Sequence, residues 1–337
     1  MRERKRISRG KILALMALFA LVAGAIVPFV GMRTIGLQSI LCPNNGSPDS
    51  FIFWNIRIPR LLASSLAGAA LAISGMAFQA MFRNPLATPF TLGVASGASL
   101  GAAIYVRLGL SFSLLGVSGL SFSAFLGALL SIALVYGLTQ IRRNFTTATM
   151  LLAGVAMSFL FSSLILFIQY MSGFIHSFRI LRWLMGSLEN VGYQSVLEML
   201  PFVVGGGLMI LFLSQELNLL LTGEEIARSR GVEVRWVKQG LFFATSLMVG
   251  GVVAICGPIG FVGMMIPHIC RLMIGADHRW LAPATLLFGA AFLAICDTIS
   301  RTLIAPVEIP VGVITALLGG PFFLWLLLRR ESEKSLL

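Results

Sequence analysis

"IRIPRLLASSLAGAALAISGMAFQAMFRNPLATP", residues Ile56 to Pro89, decides the class of fold. From Leu61 to Phe82 it runs 22 residues without a charge, and a helix of that length, rising about 1.5 Å per residue, crosses a hydrocarbon layer roughly 30 Å thick. Pro59 suits the first turn, where a backbone N–H has no helical acceptor to lose, and Asn84-Pro85 with Thr88-Pro89 end the run. Ser64, Gly68 and Gly75 fall within about 40° of one another at ~100° per residue. That face is small enough for a neighbouring backbone to come close. Two arginines, Arg57 and Arg60, stand at one mouth of this helix.

The remaining chain is of the same kind. Of 337 residues, 57% are apolar and 11% charged, and the mean hydropathy is +0.92. Such a chain has too little polar surface to cover a water-soluble globule of its size. The fold class is therefore all-α polytopic membrane protein, with residues 1–337 forming a single transmembrane domain. The net charge of +12 is spread thinly between apolar runs rather than gathered on a basic helix, which argues against nucleic acid as a partner and for membrane lipid. Cys42, Cys256, Cys270 and Cys296 show no C-x-x-C spacing and read as packing residues rather than a metal or redox site. The start, MRERKRISRGK followed by Ile12 to Val30, resembles a secretory signal with Ala23-Gly24-Ala25 as a cleavage site. A 19-residue apolar run followed by further spans reads better as an uncleaved first helix.

Apolar segments recur at about 12–30, 61–82, 90–106, 118–138, 150–171, 199–213, 240–257, 259–275, 281–296 and 311–328. That makes about ten transmembrane helices in one bundle. The stretch from Gly240 to Gly275 is 36 residues long, nearly two spans, and Gly257-Pro258 with Gly260 divides it. An even number of spans puts both termini on one face. Seven of the 25 Lys and Arg, namely Arg33, Arg57, Arg60, Arg107, Arg179, Arg182 and Arg301, fall on the opposite face, so the termini are cytoplasmic by the positive-inside rule. The N-terminal 1–11 is then a cytoplasmic tail. Residues 214–239, SQELNLLLTGEEIARSRGVEVRWVKQ, form the longest polar stretch on that side. Thr222, Glu224 and Glu225 mark a helix start there and Gly231 a stop, which predicts one or two short helices against the cytoplasmic face. Arg57 and Arg60 lie on the outer face, where retention signals do not require them; snorkelling to lipid phosphate is one explanation.

Several chemistries are absent from the sequence. No G-x-x-x-x-G-K-[ST] occurs, so this chain does not bind ATP through a P-loop. Gly116-Val117-Ser118-Gly119 echoes a serine-protease nucleophile, but His176 and His278 fall in loops on opposite faces. No H-E-x-x-H exists, and Asp297 at a helix end and Glu308 in an outer loop form no aspartyl dyad. The spans are almost free of ionisable groups, which speaks against gradient coupling in a secondary transporter.

These features converge on a known family. The chain resembles the permease subunit of type II binding-protein-dependent ABC importers, which bring iron–siderophore chelates, haem and cobalamin across the bacterial inner membrane. The matching pieces are RIPRLLASSLAGAALAISGMAFQAMFRNPLATPFTLGVASGASLG, TTATMLLAGVA, RWLMGSLENVGYQ, LTGEEIARSRGV, GPIGFVGMMIPHICRLMIGADHRWLAP and CDTISRTLIAPVEIPVGVITALLGGPFFLWLL, in family order from about Ile56 to Leu328.

The resemblance implies a ten-helix, non-enzymatic subunit pairing with a second copy or a close paralogue about a two-fold axis. Two cytoplasmic ATPase subunits would carry ATP and Mg, this chain itself holding no cofactor and no metal, and a periplasmic binding protein would deliver the cargo. It implies that Arg57, Arg60 and Arg301 accept carboxylates of the binding protein, so that charge reversal at Arg57 and Arg60 would weaken docking and leave assembly intact. It implies that Gly223, Glu224, Ala227, Arg228 and Gly231 belong to a coupling segment seated on the ATPase; a solvated amphipathic loop explains Ser229 and Arg230 equally well. It implies a cytoplasmic gate at Asn84, Leu86, Thr146 and Thr147, small and uncharged enough to seal without burying a charge. N-capping of the next helix is a second explanation of the threonine pair. Iron–siderophore is the expected cargo, with cobalamin or haem as alternatives.

Overall fold

The computed structural model describes residues 8–35, 48–114, 116–141 and 147–334. Helix α1 (Arg9–Ile26) is capped by Ser8, whose hydroxyl accepts from the Lys11 N–H, and runs into a short 3-10 turn, Val27–Phe29. Helix α2 (Pro48–Phe82) is continuous over 35 residues and includes a π-turn at Phe53–Arg57. It ends at Arg83, whose left-handed backbone stops the helix before Pro85. Helices α3 (Val94–Arg107), α4 (Gly119–Ile141), α5 (Thr147–Tyr170), α6 (Phe174–Leu184) and α7 (Tyr193–Phe212) follow. Two short helices, α8 (Ser214–Thr222) and α9 (Glu224–Ser229), precede α10 (Val234–Cys256), α11 (Val262–Ile274), α12 (His278–Thr302) and α13 (Val311–Lys334).

Helix α2 is the spine. Nearly three quarters of its most apolar window is buried inside the protein, because its small residues let other helices press against it. A Cβ on Gly68 would sit 2.2 Å from the Gly289 carbonyl oxygen of α12, and one on Gly75 only 1.8 Å from that of Gly263 in α11. The expected small-residue face is thus real, and it serves two neighbours at different heights. Helices α3 and α4 meet the same way at Gly97 and Gly127. Lipid is as apolar as leucine, so such contacts gain their stability from dispersion at close range. Helix α1 joins through buried Met16 and the stacking of Phe19 on Phe288 of α12, ring centroids 5.7 Å apart.

All ten apolar segments fold as helices. Among the described residues, seven helices are long and apolar enough to cross a membrane: α1, α2, α4, α5, α7, α10 and α12. The apolar parts of α11 and α13 are shorter, and α3 has 14 residues. The break inside Gly240–Gly275 falls where the glycines put it, at Gly257 with φ +68°. An all-α reading needs one correction. Ser113–Leu114 and Val117–Ser118 form a two-stranded antiparallel hairpin before α4, Ser113 facing Ser118, which an apolarity pattern does not register over pairs of residues. Amphipathic α6 also has no counterpart among the ten segments. Cys256, Cys270 and Cys296 are buried between helices; Cys42 lies outside the described residues.

Candidate functional site

Polar groups gather at the two ends of the bundle. The first gathering is around Arg57 and Arg60, at and just after the π-turn of α2. Arg60 is 5% exposed and donates from Nε to both Asp297 carboxylate oxygens, at 2.9 and 3.1 Å, and from Nη1 to Glu308 at 2.8 Å. Arg301, one helical turn beyond Asp297, donates from Nε to the same carboxylate at 3.2 Å and from Nη2 to the Thr298 hydroxyl. Asp297 itself is 1% exposed. Two guanidinium groups therefore share one buried carboxylate, with Glu308 closing the charge balance from the α12–α13 connection.

Arg57 is satisfied differently. It donates to the carbonyl oxygens of Pro28, Phe29 and Arg33, so the chain leaving α1 wraps around it. Gly31 fits against that guanidinium where a Cβ would come within 2.7 Å of Nη2. Sequence reasoning brought Arg57, Arg60 and Arg301 to one rim, and the structure gathers them there. It also shows what that reasoning missed: Asp297 and Glu308 are not isolated acids but the partners of these arginines. The Asp297–Arg301 spacing of four residues on one helix was the available signal. Charge reversal of Arg60 would set a carboxylate against Asp297, so a loss of stability is expected beside any loss of docking.

The second gathering is at the opposite end. Gly223, with φ +126°, separates α8 from α9, and Gly231, with φ +83°, receives the chain after α9. These are the two short helices expected of residues 214–239. Ala227 is buried, whereas Glu225, Arg228, Ser229 and Arg230 are exposed. Glu224 accepts from Lys238 Nζ, which is 2% exposed, and lies 4.0 Å from Arg83 at the end of α2. Asn84 accepts the Leu86 N–H on its side-chain oxygen at 2.9 Å and holds the turn, while Leu86 is 55% exposed. Thr147 begins α5; Thr146 lies outside the described residues.

Asp277 caps α12 beside this segment. The Arg279 guanidinium and N–H, with the Asn218 amide, hold its carboxyl well below the usual carboxylate range, and Arg9 of α1 adds an ion pair at 3.3 Å.

Two cavities complete the picture. One of about 900 Å³ lies between α3, α6 and the start of α7, with Arg182 paired to Glu189 and with Glu198 on its wall. The other, about 430 Å³, lies on α5 and combines Ser158 and Ser162 with Thr88, Thr91, Phe159 and Phe261. Ser162 and Ser163 are exposed in the middle of an otherwise apolar helix, a face ill-suited to lipid tails.

The helical bundle thus has arginines clustered at one end and an exposed two-helix segment at the other. The FecCD transport family model matches residues 12–329, and the chain belongs to that family. It is 36% identical over 335 residues, 99% of each chain, to the hemin transport system permease protein of Yersinia pestis. It is 42% identical over 292 residues, 85% of this chain and 76% of the relative, to the cobalamin import system permease protein of Halobacterium salinarum. An uncharacterized ABC transporter permease protein of Bacillus subtilis is 41% identical over 290 residues, 85% of this chain and 82% of that one. Among solved structures, an inward-facing chain described as a metal-chelate type ABC transporter superposes with a TM-score of 0.85 at 32% identity, covering 95% of this chain and 99% of its own.

Proposed function

We propose that this permease carries a bulky metal chelate from a periplasmic binding protein into the cytoplasm, as one of two copies in the bacterial inner membrane, driven by two separate ATPase subunits. The observation that carries the reading is the exposed segment around α9, poised on glycines at both ends and attached to a chain with no P-loop of its own. ATP and Mg then belong to the partner, and Gly223, Glu224, Arg228 and Gly231 form the surface it grips, seated on buried Ala227. All ten apolar helices cross the membrane, with both termini cytoplasmic.

At the outer face, Arg57, Arg60 and Arg301 form the positive ground on which the binding protein's carboxylates settle. The arginines' own forks are held by Asp297, Glu308 and the carbonyls after α1, so they act through the shape and field of that end rather than as free partners. The hydroxyl-bearing face of α5 lines the path. Asn84 and Leu86, with Thr146 and Thr147 at the start of α5, form the inner gate, an uncharged constriction that opens when the coupling segments move. Iron–siderophore is the cargo expected from the sequence. The haem and cobalamin names of the relatives favour those two as second readings.

The test is ATP-dependent uptake in proteoliposomes holding this chain with its ATPase, offering ferric siderophore, haem or cobalamin with a matched binding protein. Accumulation of one ligand identifies the cargo. Accumulation only when the ATPase is left out rejects the importer reading in favour of a gradient-driven carrier.

A further inference from the structure

The Asn218 side chain makes three hydrogen bonds, all to the start of α12. Its Nδ2 donates to Asp277 Oδ1 at 2.8 Å, and its Oδ1 accepts from the His278 N–H and from His278 Nδ1, both at 2.8 Å. The amide oxygen can only accept, so Nδ1 of His278 carries the proton. Asn218 sits on α8, and Asp277 is 59 residues further along the chain.

The neighbourhood gives that amide a distinct place. Helix α9 runs on into α10, so covalent chain drags α10 whenever the coupling segment moves. Helix α12 is not the segment's chain neighbour; α8 packs on its start, and the Asn218 amide adds directed hydrogen bonds there. Leu217 and Leu220 seat α8 by burial, a contact that tolerates sliding, whereas three directed hydrogen bonds do not.

Helix α12 is built to transmit what it receives. It runs 25 residues, about 37 Å at ~1.5 Å per residue. Gly289 locks it to α2 partway along, and Asp297 anchors Arg60 and Arg301 near its far end. A shift imposed at Asp277 and His278 would therefore reach the arginine cluster.

We infer that Asn218 is a positioning residue of the transport cycle, the joint through which nucleotide-driven movement of residues 214–239 is passed to α12. This rests on the reading of that segment as the ATPase contact. It acts through His278 and Asp277 and touches neither cargo nor nucleotide.

Hydrogen exchange on the full permease–ATPase complex in nanodiscs, with and without Mg-ATP and vanadate, tests it. In the parent, nucleotide should change exchange in peptides spanning 214–231 and also, by about fivefold or more, in peptides spanning 275–285. In Asn218→Ala the first response should remain and the second should vanish, with ATPase turnover retained. Asp277→Asn keeps both the helix cap and an acceptor for the Asn218 amide, and should respond like the parent. Should the alanine variant fail to assemble, Asn218→Gln, with its amide displaced by one methylene, is read by the same criterion. A parental response at 275–285 in the Asn218 variant overturns the inference and leaves the coupling reading standing, as does loss of that response in Asp277→Asn. No response at 214–231 in the parent overturns the coupling reading and the inference with it.

Discussion

The two ends of this permease hold similar charges in opposite ways. At the arginine end, Arg57, Arg60, Arg301 and Asp297 are each less than a tenth exposed, and every guanidinium is spoken for by the protein's own carboxylates or carbonyls. At the other end, Arg228, Arg230 and Arg235 are exposed, and Lys238 is the buried exception, held by Glu224. A buried charge needs its partner to exist at all, whereas an exposed one is free to meet a second molecule. The first end is consequently part of what holds the bundle together, and the second is charged surface left exposed.

The sharpest way to break this comparison is Asp297→Ala, which leaves Arg60 and Arg301 buried around a missing carboxylate. It should cost about 3–5 kcal/mol of stability, read as earlier thermal aggregation in detergent, and replacing both arginines by Met in the same background should recover much of the loss. Parental stability in the single variant would mean the cluster is solvated. The spine between the ends comes next. Gly75→Ala puts a methyl group into the Gly263 carbonyl and should cost roughly 1–3 kcal/mol, while Gly10→Ala, with open space around it, should cost nothing measurable.

Glu224→Ala strips the partner from Lys238 and should lose about 1–3 kcal/mol, less than Asp297→Ala because Glu224 is itself 30% exposed. Lys238→Met in addition should restore stability, and equal losses in the single and double variants would show that the ion pair is not the reason. Acid sharpens the same contrast. The Asp277 carboxyl is depressed in the folded protein, so its stabilising contribution is complete at neutral pH. That contribution declines only as pH falls below the ordinary carboxylate value of about 3.9, where the unfolded chain binds its proton first. Denaturation followed from pH 7 to 3 should therefore show this decline only at the acid end, and Asp277→Asn should flatten it. Smallest in stability is Arg228→Glu, expected within about 0.5 kcal/mol of the parent, yet it should reduce co-purification of the ATPase. Unchanged co-purification would remove Arg228 from the contact surface.

Much of this was legible in the chain. Runs such as Leu61–Phe82 have one compatible structure in a bilayer, because every backbone polar group must be satisfied within the segment. Gly257-Pro258 announced its break for the same local reason, and Thr222 to Gly231 announced short helices through their end signals. The hairpin at 113–118 and the amphipathic α6 were not legible, since neither presents an apolar run of membrane length. The candidate site was half visible: the arginines stood out as charges at a helix mouth, but the acidic partners of Arg60 lie more than 230 residues away. Nothing in a single sequence pairs Arg60 with Asp297.

The sequence by itself determined that this is a membrane-embedded helical bundle and where many of its helices end, because those properties follow from composition, period and local end signals. Tertiary structure alone decided that Gly68 meets Gly289, that Arg60 and Arg301 share the buried Asp297 carboxylate, and that Asn218 grips the first turn of α12. These are encounters between distant segments, and they depend on how the packed helices are placed rather than on what any one helix contains.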